Sequence, residues 1–249
     1  MSDSNRGFTR PTPAVADMGL DAGLRSFMLG VYNKVGLGLV LSAVLAWVTG
    51  TYQPVQQLLF TVDAASGRPS YTILGMIVAF APLAILLTQM FIRKTSPQAA
   101  AITYWAIVSL MGASFGLLFI LYSDVGIFQT FLVTAAAFGG LSLVGYTTKR
   151  NLTGMGSFLI MGLWGLIFAS LASIFFHSAA LVFLINLVGV GIFAGLIAYD
   201  TQRMKMTYYQ LGGDQAAMNV ATSYGALSLY LNFINLFRFL LYFMGGARR

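Results

Sequence analysis

One carboxylate stands out among the residues that could do chemistry, because it ends a long apolar run. The run begins at Asn186 and reaches Asp200 with no other charged residue. The chain has seven acidic residues, and the other six fall in predicted tails, loops or helix ends. A carboxylate at the centre of a membrane helix costs about 2.5–3.5 kcal/mol on insertion scales, so a functional role is the default hypothesis. The alternative is a structural Asp200 just inside the interface, held by Arg203 or Lys205.

A second polar feature lies in the last apolar segment. Its polar residues are spaced by four, four, three and three positions: Tyr224, Ser228, Asn232, Asn235 and Arg238. At about 100° per residue they fall within a sector of roughly 120°, which we call the polar stripe. A polar stripe cannot face lipid, so this helix packs inside a bundle or lines a wet cavity. The alternative is interhelical hydrogen bonding, worth about 0.6 kcal/mol per contact; the charge of Arg238 favours a pathway.

Both features must sit in a membrane, because the composition excludes a water-soluble fold. Of the 249 residues, 58% are apolar and 8% are charged, and the mean hydropathy is +0.80. A soluble domain carries about 25% charged residues, so lipid is the solvent here. The formal net charge of +7 reflects few acids, with no basic cluster that would indicate nucleic-acid binding. The chain has no Cys, which excludes disulfides and thiolate chemistry.

Seven apolar segments follow a polar N-terminal region, and each is near the ~20 residues that cross ~30 Å of hydrocarbon. Short connections make neighbouring helices antiparallel. This pattern predicts an all-α membrane protein built as a bundle of seven transmembrane helices. We expect residues 1–26 to form a flexible cytoplasmic tail and residues 27–249 to form one transmembrane domain. The predicted segments are Val31–Thr51, Tyr71–Ile92, Ala99–Tyr122, Ile127–Thr147, Gly154–Phe176, Ala179–Thr201 and Asn219–Met244.

The distribution of Lys and Arg predicts how the bundle is oriented. With the N-terminus in the cytoplasm, most basic residues collect on that side, including Arg93, Lys94, Lys149, Arg150, Arg203 and Lys205. The last segment allows two topologies, since the basic pair at residues 248–249 would also prefer the cytoplasm. A re-entrant segment would satisfy that preference, whereas the full length of the apolar run favours a span.

The residue patterns that most enzymes use are missing from the sequence. The one histidine, His177, lies in the short connection after the fifth segment, with no Glu or Cys nearby. The sequence contains no nucleophile elbow, zinc-protease motif or phosphate-binding loop, and no pair of Asp residues within the predicted spans. We therefore expect neither an enzyme nor a bound cofactor.

Three stretches occur in a specific order along the chain. They are Phe138-Gly-Gly-Leu-Ser-Leu-Val-Gly-Tyr-Thr-Thr-Lys149 in the fourth segment, Ile197-Ala-Tyr-Asp-Thr-Gln-Arg-Met-Lys205 closing the sixth, and Ala226-Leu-Ser-Leu-Tyr-Leu-Asn-Phe-Ile-Asn-Leu-Phe237 in the seventh. Together they closely resemble the Bax inhibitor-1 family, the transmembrane Bax-inhibitor-motif proteins. The resemblance implies six helices around a central seventh helix, in the inner membrane of a bacterium.

The same resemblance implies an activity, which is a slow, pH-sensitive leak of calcium across the membrane. In the better-understood members two Asp residues, one ending the sixth helix and one in the seventh, share a proton and control the pore. Asp200 matches the first position, whereas Asn232 stands at the second. Two adjacent carboxylates repel each other and couple their protonation, and an Asp–Asn pair cannot do so. An Arg after the second helix latches the acidic pair in that family; here Arg93 or Lys94 occupies this neighbourhood.

Whether Asp200 and Asn232 can meet depends on where the last helix begins. If Asn219 is its N-cap, both residues lie ~18–20 Å along their helices at a rise of about 1.5 Å per residue. If the helix begins at Asp214, the two residues are offset by ~8 Å. The spacing allows contact without requiring it.

Two classes of function remain open. The first is a calcium or general cation leak, in which Asp200 is the acidic calcium ligand and Asn232 and backbone carbonyls add oxygen ligands. Asn235 and Arg238 would line the same pathway. The second is a non-conducting regulator in the lipid bilayer that binds another membrane protein, such as a quality-control protease, through its N-terminal tail.

Overall fold

Helices make up most of the computed structural model, which describes residues 22–62, 69–92, 94–176 and 178–246. In chain order the helices are α1 (Ala22–Thr51), α2 (Gln53–Leu59), α3 (Ile73–Gln89), α4 (Pro97–Ser114), α5 (Gly116–Leu121), α6 (Asp124–Thr147), α7 (Thr153–Phe175), α8 (Ala179–Leu211) and α9 (Gln215–Met244). Two short strands, β1 (Phe60–Val62) and β2 (Pro69–Tyr71), pair antiparallel between α2 and α3.

Six spans in the described part of the chain are long and apolar enough to cross a membrane, with α4 and α5 counted together. The exception among the predicted segments is α3, whose 17 residues rise about 26 Å at about 1.5 Å per residue. It is shortened because the predicted start, Tyr71, belongs to β2. The prediction of an all-α membrane protein is confirmed, and each predicted segment contains a helix, but the count of seven full spans is not established.

The first helix begins well before the apolar run that predicted it. α1 starts at Ala22, and Leu24, Phe27 and Met28 are buried at helical spacing. Burial of this face extends the helix to residues that precede the continuous apolar stretch. The predicted boundary after residue 26 therefore falls inside α1, and residues 1–21 of the predicted tail lie outside the described residues.

The last two helices form a long hairpin that carries the candidate site. α8 is followed by Gly212 and Gly213, whose φ angles are 58° and 89°. These angles lie in the left-handed region, which glycine adopts without steric cost. The Asp214 side chain accepts hydrogen bonds from two backbone N–H groups in the first turn of α9 and caps this helix. Of the two possible starts, the structure therefore selects Asp214 rather than Asn219.

α9 lies in the middle of the bundle. It packs against α1, α4, α6 and α8, while α3 packs mainly on α4 and α7 packs on α8. Half of its most apolar stretch is buried, against a third or less in the other spans. Close packing requires glycine at Gly145 of α6, where a Cβ atom would overlap the backbone of Ala198 in α8. The outer faces of α3, α6 and α7 expose large apolar side chains, as expected for contact with lipid.

Candidate functional site

Asp200 lies inside the bundle, on the side of α8 that faces α9. Its exposed fraction is 5% although it is charged. The preceding residues of α8 on this side, Leu196 and Ile197, are buried apolar side chains. A carboxylate in such surroundings is stable only if donors replace the water that it loses.

Three donors surround the Asp200 carboxylate. The Ser228 hydroxyl donates to Oδ2 at 2.5 Å, and the Asn232 amide donates to the same oxygen at 2.8 Å. The Arg203 guanidinium approaches Oδ1 at 3.6 Å from one turn along α8, and this arginine is 52% exposed. All three interactions favour the ionised carboxylate. Two of the donors come from the polar stripe of α9, so the charge of Asp200 is linked to the central helix.

The structure brings Asp200 and Asn232 together although they lie at unequal distances along the chain from the Gly212–Gly213 turn. Chain spacing alone predicts that Asp200 and Asn232 are offset along the hairpin when α9 starts at Asp214. That prediction assumes that α8 and α9 leave the turn at the same depth. The observed bond of 2.8 Å shows that the arms are shifted along each other. This shift depends on how α8 and α9 pack, which chain spacing does not encode.

The other members of the polar stripe divide into two groups. Tyr224 makes interhelical contacts, since its hydroxyl bonds to Gln89 at 2.7 Å and to Thr95 at 3.3 Å. Asn235 instead donates to the carbonyl of Leu231 in its own helix, at 2.8 Å. Interhelical hydrogen bonding therefore accounts for Tyr224, Ser228 and Asn232, and it leaves Asn235 and Arg238 without such an explanation.

The polar stripe is the least buried side of α9. Tyr224, Ser228 and Asn235 are half-buried and Arg238 is exposed, while Asn232 at the edge of the stripe is buried. The other sides of the helix carry fully buried large side chains, among them Leu229, Tyr230, Phe233 and Leu236. The stripe is therefore the side of α9 that the neighbouring helices cover least.

Arg238 differs from its predicted placement in the interior of the bundle. Its side chain is exposed, and its guanidinium lies 6.0 Å from the ring centre of Phe115. It stands near the Tyr71 and Tyr122 phenols; burial raises the pKa of both, and the positive charge of Arg238 opposes the shift. A long arginine side chain can carry its charge toward the end of the bundle, so Arg238 marks the end of the stripe opposite Tyr224.

Of the two predicted latch residues, Lys94 does not form the salt bridge to Asp200. Arg93 lies outside the described residues, and Lys94 is exposed in the connection between α3 and α4. The salt bridge comes from Arg203 on α8 itself. The α3–α4 connection does reach the stripe, but it does so through the hydrogen bond between Thr95 and Tyr224.

One partner of Asp200 was not identified from the sequence, and one candidate partner makes its contacts elsewhere. Ser228 was placed on the stripe but not assigned to Asp200, although its spacing of one turn from Asn232 indicates the same face. Lys205, considered as a partner of Asp200, is 5% exposed and instead donates to the Tyr146 carbonyl, with its ammonium 5.0 Å from the ring centre of Tyr146. No sequence pattern indicates this partner, because it depends on how α6 packs on α8.

The oxygen atoms around Asp200 could coordinate a hard cation. They comprise one carboxylate, the Ser228 hydroxyl and the Asn232 side-chain carbonyl, which are ligand types that calcium accepts. Among residues 22–62, 69–92, 94–176 and 178–246, no group of three or more His, Cys, Asp or Glu side chains gathers in one place. A single carboxylate with neutral oxygens suits weak, transient binding, since calcium affinity rises with ligand charge.

These features define a class of protein: a helical membrane protein in which a buried carboxylate bonds to the polar face of a central helix. The model of the family described as inhibitor of apoptosis-promoting Bax1 matches residues 24–249. The chain belongs to this Bax inhibitor family, as its three sequence motifs predicted.

Bacterial proteins resemble the chain over most of its length. An uncharacterized protein of Caulobacter vibrioides is 60% identical over 251 residues, which cover 100% of both chains. The uncharacterized protein RP147 of Rickettsia prowazekii is 42% identical over 229 residues, or 92% of each chain. Inner membrane protein YbhL of Escherichia coli is 39% identical over 228 residues, which cover 91% of this chain and 94% of YbhL. The apolar helices and this similarity support an integral inner membrane protein.

Proposed function

We propose that the protein is a slow, pH-sensitive leak pathway for calcium, and in general for small cations, across the inner membrane. The observation that carries the proposal is the bonding of buried Asp200 to the polar stripe, which is also the least buried side of the central helix. A charged group inside a membrane protein is costly, so its presence favours a role in an ion pathway or in proton binding. The contacts of Asp200 are directed at that side of α9.

The stripe provides a route past Asp200. Tyr224 and the α3–α4 connection lie at one end, Ser228 and Asn232 in the middle, and Arg238 at the other end. A cation that reaches the middle would exchange water for the carboxylate, hydroxyl and amide oxygens. Since only one of these ligands is charged, the cation would bind weakly and leave the site again readily.

Asp200 also provides a proton-sensitive element. Protonation removes the negative charge that attracts the cation and weakens the bonds to Ser228, Asn232 and Arg203 at the same time. With Asn232 in place of a second acid, one proton controls the site. We therefore expect a shallow pH response rather than the two coupled steps of a carboxylate pair.

The test is calcium flux through the purified full-length protein in liposomes, measured from about pH 5 to 8, where most proteins are most stable. Asp200→Asn should lower the leak by about tenfold, which corresponds to about 1.4 kcal/mol of lost cation binding. It should also remove the pH response over this range.

The matched control is Asp214→Asn, which makes the same chemical change at the N-cap of α9. Asparagine also caps helices well. The described hydrogen bonds of the Asp214 side chain are to the first turn of its own helix. This variant should leak like the wild type. A leak that is unchanged in Asp200→Asn would remove the carboxylate from the pathway and favour the non-conducting regulator that binds a membrane protein.

A further inference from the structure

A polar pocket that does not include Asp200 lies beside the end of α6 and the start of α7. The part of α8 that continues past these two ends forms its other side. Its volume is about 330 Å³. Four of its lining side chains are basic: Lys149, Arg150, Arg203 and Lys205. None of the described residues that line it carries a carboxylate. Arg203 also pairs with Asp200 at 3.6 Å, so the pocket keeps an excess of positive charge.

The loop that carries two of these cations is held in place by neutral hydrogen bonds. The Gln202 side chain of α8 donates to the Arg150 carbonyl at 2.8 Å and accepts from the Leu152 N–H at 2.8 Å. The Asn151 side chain accepts from the Thr153 N–H at 2.9 Å. Gln202 thus holds the Arg150 backbone beside α8, and no carboxylate lines the pocket in the described part of the chain. Like charges that line one pocket repel each other, and an anion bound between them would relieve that repulsion.

Lys205 gives a second indication that the pocket receives an anion. Its side chain is 5% exposed, and its ammonium contacts the carbonyl and the ring of Tyr146. Both contacts are neutral, and a buried ammonium without an opposite charge is costly. An anion in the pocket would supply that charge.

We propose that this pocket binds a phosphate group. Arginine presents a planar fork that matches phosphate oxygens, and lysine adds a compact positive charge. The neutral donors Tyr199 and Gln202 and the first turn of α7 complete the lining. The inference does not depend on a calcium leak at Asp200.

The position of the pocket indicates where the phosphate comes from. It lies where α6 and α7 leave the apolar core of the bundle, while α8 continues past it to Leu211. The ends of membrane-spanning helices lie near the lipid headgroups, where basic residues are attracted to anionic lipids. A membrane phosphatidylglycerol and free inorganic phosphate share the chemistry that the pocket recognises, and the experiment separates them.

The test uses the purified full-length protein and native mass spectrometry with phosphatidylglycerol and phosphatidylcholine as probes, together with thermal unfolding in inorganic phosphate. Wild type should retain phosphatidylglycerol in preference to phosphatidylcholine. The double variant Lys149→Gln/Arg150→Gln should weaken that retention by about tenfold, the change expected for the loss of charge-assisted hydrogen bonds. Both side chains are exposed, and Arg150→Gln alone provides a milder second variant.

The control is Arg25→Gln/Lys94→Gln, which removes two exposed charges that do not line the pocket. It should retain phosphatidylglycerol like the wild type. A different result is that inorganic phosphate stabilises the wild type but not the pocket variant, while the wild type retains both lipids equally. That result would assign the pocket to free phosphate. Equal loss in the pocket and control variants, or no response to either probe, would overturn the proposal.

Discussion

At the scale of single residues, Asp200 and Asn232 pair one carboxylate with one amide. Their hydrogen bond places the amide 2.8 Å from the carboxylate, so position 232 is close enough for a second charge to matter. At such a distance two carboxylates would repel each other strongly and share a proton. The natural amide stabilises the charge of Asp200 instead. We therefore expect the identity of this one side chain to decide between a simple and a coupled response to pH.

The substitution Asn232→Asp tests this directly. A second carboxylate should strengthen calcium binding by about tenfold or more, since affinity tracks ligand charge. It should also make the pH dependence of the leak steeper, with two macroscopic steps. Calcium flux in liposomes from about pH 5 to 8, where most proteins are most stable, measures both effects.

Asn235→Asp is the matched control for this substitution. It adds the same charge to the same stripe, at a residue whose amide bonds to the Leu231 carbonyl of its own helix. It should not create the second titration step. If Asn232→Asp changes neither the pH dependence nor the calcium affinity, Asp200 and position 232 do not form one cation site.

At the scale of the helices, α9 combines a buried apolar surface with one open polar side. Its far end carries the charge of Arg238 beside Phe115. If cations move along this side of the helix, that charge opposes them, because a fixed positive charge repels cations within about a Debye length of 8–10 Å. Arg238→Gln should therefore increase the calcium leak several-fold and reduce its dependence on salt. Liposome flux at low and high ionic strength measures both quantities.

Lys94→Gln removes an exposed positive charge at the opposite end of the stripe, in the connection after α3, and serves for comparison. It should change the leak less than Arg238→Gln, since Lys94 does not belong to α9. A leak that Arg238→Gln leaves unaltered at both ionic strengths would place the cation route away from the stripe.

How far the sequence predicts the helices depends on where the evidence for each boundary lies. Apolar length located a helix in every predicted segment, because the cost of exposing polar backbone to lipid leaves few alternatives. It missed the early start of α1, where burial of Leu24 and Phe27 extends the helix beyond the apolar run. It also overestimated α3, since Tyr71 pairs with Phe60 in the two-stranded sheet. Pairing and burial of this kind are tertiary effects that a local pattern does not carry.

The candidate site was predictable in its residue types but not in its bonds. The position of Asp200 and the periodicity of α9 follow from burial cost and helix geometry. The choice of Arg203 over Lys94 as the charged partner depends on where the α3–α4 connection lies relative to α8. The basic pocket depends on the bonds of Gln202 to a loop that is distant in sequence.

At the scale of the whole molecule, Arg203 links the two sites, since it pairs with Asp200 and lines the basic pocket. The distribution of Lys and Arg predicts that this end of the bundle faces the cytoplasm. Cysteine labelling can test the orientation cleanly, because the native chain has no Cys. A membrane-impermeant maleimide applied to intact cells should fail to label Lys149→Cys, and it should label this variant once the membrane is permeabilised.

The same method decides the topology of the last helix. α9 has 30 residues, or about 45 Å at about 1.5 Å per residue, which exceeds the ~30 Å of hydrocarbon and favours a full span. Ala247→Cys, just after the described part of the chain, should then be labelled from outside intact cells, in contrast to Lys149→Cys. Protection of both positions until permeabilisation would indicate a re-entrant α9 with both ends in the cytoplasm. In that case the polar stripe could not connect the two faces of the membrane, and the leak pathway would have to be abandoned.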